Sequence, residues 1–312
     1  MSGSEPPVLV VGAGGFVGAA AVRRLVASGR RVVAFGPPGR VPLPASVETI
    51  EGTIEDAGAL ADLFGTHRPA TVLSFAAYSA GTGGLGRSAD ADPEAAFAVN
   101  VLGFRRLLAA AASAGVRRFL WTSSTVVLGA AAPGAPPVDE DTPRHPLHVY
   151  GLTKVLAEEI AAFHRRRDGI ETVGLRIPLM LGPGLWYDGA ASPIKRLADA
   201  AAHGGAETVE VTTGEFEVMH VDDLARLIDG LIDAPGPLAA IYHAAGFLTS
   251  YAEIVATLRA LAPGFRATVT EVPPAVAYPI QDGRRLTRAT GFQTACDLRA
   301  ILADLLAERR KP

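Results

Sequence analysis

The sequence predicts an α/β protein: a doubly wound parallel sheet followed by a smaller C-terminal α/β region. Three observations carry this. Short runs rich in Val, Leu and Ile alternate with Ala- and Leu-rich runs of helical length. The strand-like runs are apolar at nearly every position, as strands covered on both faces are. A glycine-rich turn joins the first such run to the first helical one. The 312 residues, 49% hydrophobic and 20% charged, suffice for a substantial core and exclude a disordered chain.

Each element follows from its residues. "VLVV" at 8–11 has no polar alternation and reads as a buried strand; 15–28 carries apolar residues at helical spacing. Strand 31–35, helix 57–64 and strand 71–75 repeat the rhythm. Helix 93–114 is the longest of the helical runs in this half. Strand 118–122, helix 149–167 and strand 172–177 complete it. Helical crossovers between strands favour parallel pairing.

After Pro178 the rhythm loosens. A Gly/Pro-rich loop (182–193) carries two large aromatics, and helix 193–203, strands 209–212 and 216–219, helix 222–232 and helix 298–309 follow. Segment 129–146 is a Pro/Ala-rich loop rather than a linker, because strand and helix signals resume at once. A division at 178 is expected, with 1–178 as the doubly wound part and 179–312 as a smaller α/β region, of which 219–245 would pack back on the first part.

The formal net charge of −3, without a long basic run, argues against nucleic acid and anionic membrane as partners. Cys296 is the lone cysteine, so an intrachain disulfide and a cysteine-rich metal site are excluded; it reads as a small core residue of an Ala-rich helix. No His/Asp/Glu spacing demands a metal. The opening "MSGSEPPVLVVG" lacks signal-peptide character, and no uninterrupted apolar stretch nears the ~20 residues that span a bilayer. A soluble, reducing, cytoplasmic setting is the default expectation.

The turn "VLVVGAGGFVGAAAV" holds Gly12, Gly15 and Gly18, with Gly14 extra. The first permits a tight turn, the second lets backbone approach a pyrophosphate, and the third lets helix and strand pack closely. With Val17 where the common fingerprint has its third glycine, this alternative spacing still suits a Rossmann-type dinucleotide turn, and it also fits an ordinary Gly-rich βα turn. An acidic residue that bonds the adenosine ribose commonly ends the second strand; Gly36 stands there instead. Without that carboxylate a 2′-phosphate meets less repulsion, and Arg40 offers a planar cation. Both lean toward NADP over NAD, although Arg40 also fits a solvated loop.

"HPLHVYGLTKVLAEEI" (145–160) places Tyr150 and Lys154 one turn apart on one helix face. A tyrosine titrates near pH ~10 and is a poor base at neutral pH. An ammonium nearby favours the phenolate, so the pair is expected to lower the value and move a proton to or from an alcohol or carbonyl.

These motifs together resemble the extended branch of the short-chain dehydrogenase/reductase superfamily, the epimerase/dehydratase-like proteins. "PLHVYGLTK" (146–154) resembles its Tyr–Lys motif. "FAVNVLGFRRLLAAAASAGVRRFLWTSS" (97–124) resembles its Asn-bearing helix and Ser/Thr-bearing strand. "FAA" (75–77), "LRIPLMLGPG" (175–184) and "MHVDDLARLI" (219–228) resemble further segments. The resemblance implies an NAD(P)-dependent oxidoreductase or epimerase, with a cofactor-sensing regulator as a more distant alternative. It implies Tyr150 as acid/base, Lys154 as ribose ligand and tuning cation, and Ser124 on the reacting oxygen, with Thr125 as the alternative. Asn100 would hold the helix near the cofactor. Cofactor contacts would come from Gly12, Gly15, Phe16, Val17, Gly18, Gly36, Arg40, Thr53, Ile54, Phe75, Ala76, Ala77, Ile177 and Pro178 as well. Ser123 reads as structural, and His220 and Asp222 as helix caps. A homodimer through helices 93–114 and 149–167 is a further implication.

Departures bear on substrate. Nucleotide-sugar enzymes of the branch usually carry Asn where Leu179 stands and Arg where Phe216 stands; both would contact a diphosphate. Thr53 replaces a common adenine-contacting Asp. Val126 and Val127 replace the acids of the dehydratases. Tyr78, Ser79, Leu179, Met180, Trp186, Tyr187 and Phe216 are therefore expected to line a pocket for a smaller or more apolar alcohol or carbonyl. Trp186 and Tyr187 alternatively staple their loop, and His145 and His148 read as solvated.

Overall fold

The computed structural model describes residues 6–132 and 134–310. The strands are β1 (Val8–Val11), β2 (Val32–Gly36), β3 (Glu48–Glu51), β4 (Thr71–Ser74), β5 (Arg118–Ser124) and β6 (Glu171–Ile177). They continue as β7 (Leu179–Leu181), β8 (Ala206–Thr212), β9 (Phe216–His220), β10 (Ile241–His243), β11 (Phe247–Thr249) and β12 (Arg266–Val272).

Seven strands pair in parallel in the order β10-β6-β5-β4-β1-β2-β3. Alternate residues serve opposite faces. Leu9, Val11, Val33, Phe35, Val72, Phe119 and Trp121 lie in one core cluster; Val10, Ala34, Leu73, Leu120, Val173 and Leu175 lie in the other. Both faces are covered, which is why these strands show no polar alternation. The chain runs outward from β1 to β3, then crosses back to β4 on the far side of β1. Ligand crevices of such sheets open at this reversal, beyond the carboxyl ends of the strands.

Beyond β6, strands β11, β9 and β7 form a small sheet, and β12 pairs with β8 in parallel. Helix Val221–Ile232 packs on helix Phe16–Ala27, where Asp229 accepts from Arg24 (2.9 Å) and Arg30 (2.7 Å). The cluster holding Val10 and Leu25 continues through Leu181, Leu197 and Leu302, so apolar packing is unbroken across residue 178.

Several expectations change. Segment 93–114 is helical, but Ala98–Gly103 winds as a π-segment between the helices Pro93–Phe97 and Phe104–Ser113. This 21-residue stretch Pro93–Ser113 is long and apolar enough to cross a membrane by length and composition. Phe104, Leu107, Leu108 and Ala111 bury one side of it in the core. Cys296 precedes helix Leu298–Arg309 rather than lying within a helix, and its N–H donates to Asp223 Oδ2 at 3.0 Å. His220, not Asp222, caps helix Val221–Ile232: its Nδ1 accepts from the Asp222 N–H at 3.0 Å.

Candidate active site

The glycine turn follows β1. Gly12 has φ +77°, and a Cβ there would lie 2.8 Å from the Ala76 backbone nitrogen. A Cβ on Gly18 would collide with the Gly12 carbonyl oxygen. Gly15 begins helix Phe16–Ala27 with no side-chain cap and no acidic residue in the first turn. That uncapped end at Phe16, Val17 and Gly18 suits an anion. The extra glycine also has a cause. The loop after β2 crosses the turn so closely that a Cβ on Gly14 would strike Gly39, and the Val41 N–H donates to the Gly14 carbonyl at 3.3 Å. Gly36 ends β2 beside Gly12. Thr53 bonds Glu55 (3.2 Å), and Ile54 is buried under Gly103.

Across the crevice stands the Tyr–Lys pair. His148, expected to be solvated, caps helix Val149–Asp168. Its Nδ1 accepts from the Gly151 N–H (3.0 Å), while Nε2 meets the Tyr278 hydroxyl (3.1 Å). Since Nδ1 accepts, Nε2 carries the proton and donates to Tyr278. The His148 ring stacks on Tyr150 at 6.2 Å. Tyr150 packs with Ala77, Tyr78, Leu85 and Val126 at the ends of β4 and β5. Lys154 donates to the Thr122 carbonyl (2.9 Å) and lies 5.6 Å from the Tyr150 ring centroid.

The electrostatics differ from expectation. Burial pushes the Tyr150 phenol above its ordinary value, and nearby Tyr187 adds to the rise. Burial also pulls Lys154 down to about 8, against the opposing charge of Glu158. Burial thus drives both groups toward their neutral forms in the protein alone.

The three hydroxyls at the end of β5 have different partners. Ser123 is fully buried and donates to Glu158 (2.7 Å); Thr125 donates to the Ile177 carbonyl (3.0 Å). Ser124 accepts from the Val126 N–H at 3.4 Å, which leaves its own proton to donate. Asn100 is buried in the π-segment. Its Oδ1 accepts from the Tyr78 N–H (2.7 Å) and its Nδ2 donates to Thr153 Oγ1 (3.1 Å), which donates to the Tyr150 carbonyl (2.8 Å). The strand-four turn, the π-segment and the Tyr150 helix are thereby joined.

On the expected substrate side the residues divide. Met180 is buried in the main core and does not line the crevice, while Phe216 packs on Tyr251 at 5.1 Å. Phe75 and Ala76 pack toward opposite faces of the sheet, and Pro178 joins β6 to β7 beside Ile177 and Leu179. Tyr78 is half-buried and Ser79 is exposed. Tyr187 meets Phe16 edge-on at 6.3 Å, and Arg40 lies 4.5 Å over the Trp186 ring. Residues that the sequence did not mark are Thr153, Tyr278, Glu158 and Lys195. The last donates to the carbonyls of Trp186 (3.0 Å) and Tyr187 (2.9 Å) and to Asp188 (2.9 Å). Glu158, one turn past Lys154, was visible only as a charge on an apolar helix face. No grouping of three His, Cys, Asp or Glu suited to a metal occurs among the described residues.

The strand order, the glycine turn at the reversal point and a Tyr–Lys pair facing it define an extended short-chain dehydrogenase/reductase. Within that class the chain belongs to the NAD dependent epimerase/dehydratase family, whose model matches residues 8–245. It is 30% identical over 235 residues to a UDP-glucose 4-epimerase of Rhizobium leguminosarum bv. trifolii, covering 70% of this chain and 69% of that one. It is 34% identical over 203 residues to a 3 beta-hydroxysteroid dehydrogenase/Delta 5-->4-isomerase of Mycobacterium tuberculosis, covering 63% and 52%. The match to a UDP-glucose 4-epimerase of Lactobacillus helveticus spans half of that enzyme's length. Among solved structures, MoeE5 in complex with UDP-glucuronic acid and NAD superposes with a TM-score of 0.80 at 29% identity, over 97% of this chain and 99% of that one.

Proposed function

We propose that this protein transfers hydride between a nicotinamide dinucleotide and a carbon bearing a hydroxyl or carbonyl, on a small or largely apolar substrate. The observation that carries the reading is the convergence of Tyr150, Lys154 and a Ser124 hydroxyl with a free proton at the ends of β4 and β5, across from the uncapped glycine turn. Residues 1–178 hold the dinucleotide and residues 179–312 shape the substrate side. The bound dinucleotide supplies the hydride acceptor or donor. Tyr150 exchanges the proton with the reacting oxygen, Ser124 donates to that oxygen, Lys154 binds ribose hydroxyls, and Asn100 positions the helix. Leu179 and Phe216 support an apolar substrate, because neither offers a charge or amide to a diphosphate. Gly36 and Arg40 support a lean toward NADP.

A second reading, epimerisation with the dinucleotide retained, is favoured by the UDP-glucose 4-epimerase relatives. One experiment separates the two. Alcohols, carbonyls and UDP-hexoses are screened with NAD and NADP while the reduced-nicotinamide absorbance is followed. Net absorbance change with a small alcohol or carbonyl is the expected result. Interconversion of UDP-hexoses without it would replace the first reading by the second, and equal kcat/KM for both dinucleotides would remove the NADP lean.

The assembly we propose is a homodimer. Leu102 on the π-segment and Leu152 and Phe163 on helix Val149–Asp168 are 46%, 41% and 47% exposed, the kind of apolar face that a second copy covers. Light scattering at micromolar concentration is expected to give twice the chain mass; a monomer rejects the proposal.

A further inference from the structure

Two loops meet across the start of helix Phe16–Ala27. From the β2 side comes the segment that presses Gly39 onto Gly14 and ends in the Val41–Gly14 hydrogen bond. From the other side comes the strap 186–189, which follows β7. Its backbone is fastened: Lys195 holds the Trp186 and Tyr187 carbonyls, and the Asp188 N–H donates to the Thr82 carbonyl at 2.6 Å. Tyr187 lies against Phe16, the first residue of the dinucleotide helix, and is close enough to Tyr150 to raise its phenol. The strap thus lies against the start of the dinucleotide helix.

One side-chain contact joins the strap to the opposing loop through a cation. The Arg40 guanidinium lies 4.5 Å over the Trp186 ring, and Trp186 stands edge-on to Tyr187 at 5.5 Å. A second observation points to a ligand here: Trp186 Nε1 is buried without a hydrogen-bond partner among the described residues. An unsatisfied buried donor is costly, and an acceptor on a bound dinucleotide would satisfy it.

We propose that Arg40 and Trp186 form a latch that ties the loop after β2 to the fastened strap 186–189 over the glycine turn and holds the dinucleotide between turnovers. The proposal rests on the reading of the glycine turn as the dinucleotide site. It gives Arg40 a role apart from cofactor choice: its stacked guanidinium links two loops, so its loss speeds release of NAD as well as NADP.

The test is a release rate, read without turnover. Wild-type protein and the variants Arg40→Ala, Trp186→Ala and Arg40→Ala/Trp186→Ala are loaded with labelled NAD or NADP, diluted into excess unlabelled dinucleotide, and sampled by rapid filtration. Each single variant is expected to release roughly five- to thirtyfold faster, the size of a partly desolvated cation–π contact. The double variant should exceed the faster single by no more than about twofold, because both remove one contact. Arg40 is exposed, so Arg40→Ala folds and carries the test even if Trp186→Ala does not. Release from Arg40→Ala at the wild-type rate, or multiplicative effects in the double variant, overturns the latch alone. Failure of the wild-type protein to bind either dinucleotide overturns the glycine-turn reading and the latch with it.

Discussion

Tyr150→Phe is expected to lower kcat by about 10²- to 10⁴-fold, the usual contribution of a positioned acid/base. Dinucleotide binding should change by less than about threefold, since only one hydroxyl is removed and Lys154 keeps its Thr122 carbonyl. Stability should hold or rise slightly. The phenol is 9% exposed, and no hydrogen bond contributes to its shift, so Phe fills the same space without a polar atom to desolvate. Single-turnover hydride transfer and equilibrium binding of the dinucleotide check the two halves separately. Residual transfer near the wild-type rate would remove Tyr150 from its role. Binding lost together with turnover would make it a structural residue instead.

Glu158→Gln is expected to give the largest loss of stability, about 3–5 kcal/mol, because it leaves a buried cation uncompensated. The carboxylate is 4% exposed. It accepts from Arg176 Nε (2.9 Å) and Nη2 (2.8 Å), from Arg144 (3.0 Å) and from Ser123 (2.7 Å). Arg176 is itself 3% exposed and also meets His243 Nε2 at 3.2 Å. Arg176, Arg144 and the Ser123 bond hold the Glu158 carboxyl below its ordinary value against the opposing effect of burial.

The pH dependence follows from that direction. A carboxyl depressed in the folded state stabilises above its unfolded value, and the stability is lost as pH falls through the folded one. Buried His243, pulled down to about 4, acts in the same sense: folded protein disfavours its protonation, so stability is lost as pH falls from about 6.5 toward 4. Glu217 opposes both. Burial raises it to about 7, so its contribution falls as pH rises from about 4.5 to 7. Thermal unfolding of wild type and Glu158→Gln from pH 7 to pH 3 should show a lower midpoint for the variant at pH 7 and a gap that narrows below about pH 4.5. Equal midpoints at pH 7, or a constant gap, would contradict the account.

Much of the fold was legible in the residues. "VLVV", "RVVAF", "TVLSF" and "RFLWT" are apolar without alternation because both sheet faces are buried, and all four became central strands. Strands β3, β7, β10, β11 and β12 escaped notice. β3 is an exposed edge strand, β7, β10 and β11 have three residues each, and β12 is polar and half-exposed, so none leaves a strand-length apolar run. The π-segment was also hidden, since its residues suit an ordinary helix. Its winding accompanies the bonds of Asn100 to Tyr78 and Thr153, which come from distant parts of the chain.

What the sequence determined by itself is whatever depends on local spacing: the glycine positions, the shared helix face of Tyr150 and Lys154, the succession of apolar strand runs and helical runs, and the family. Tertiary structure alone decided which hydroxyl of Ser123, Ser124 and Thr125 keeps a proton to donate, that burial raises the Tyr150 phenol, and that Arg40 faces Trp186. The physical reason is range. Backbone propensity and periodicity act within a few residues, whereas desolvation and hydrogen-bond partnership depend on groups a hundred or more positions away that only the folded chain brings together.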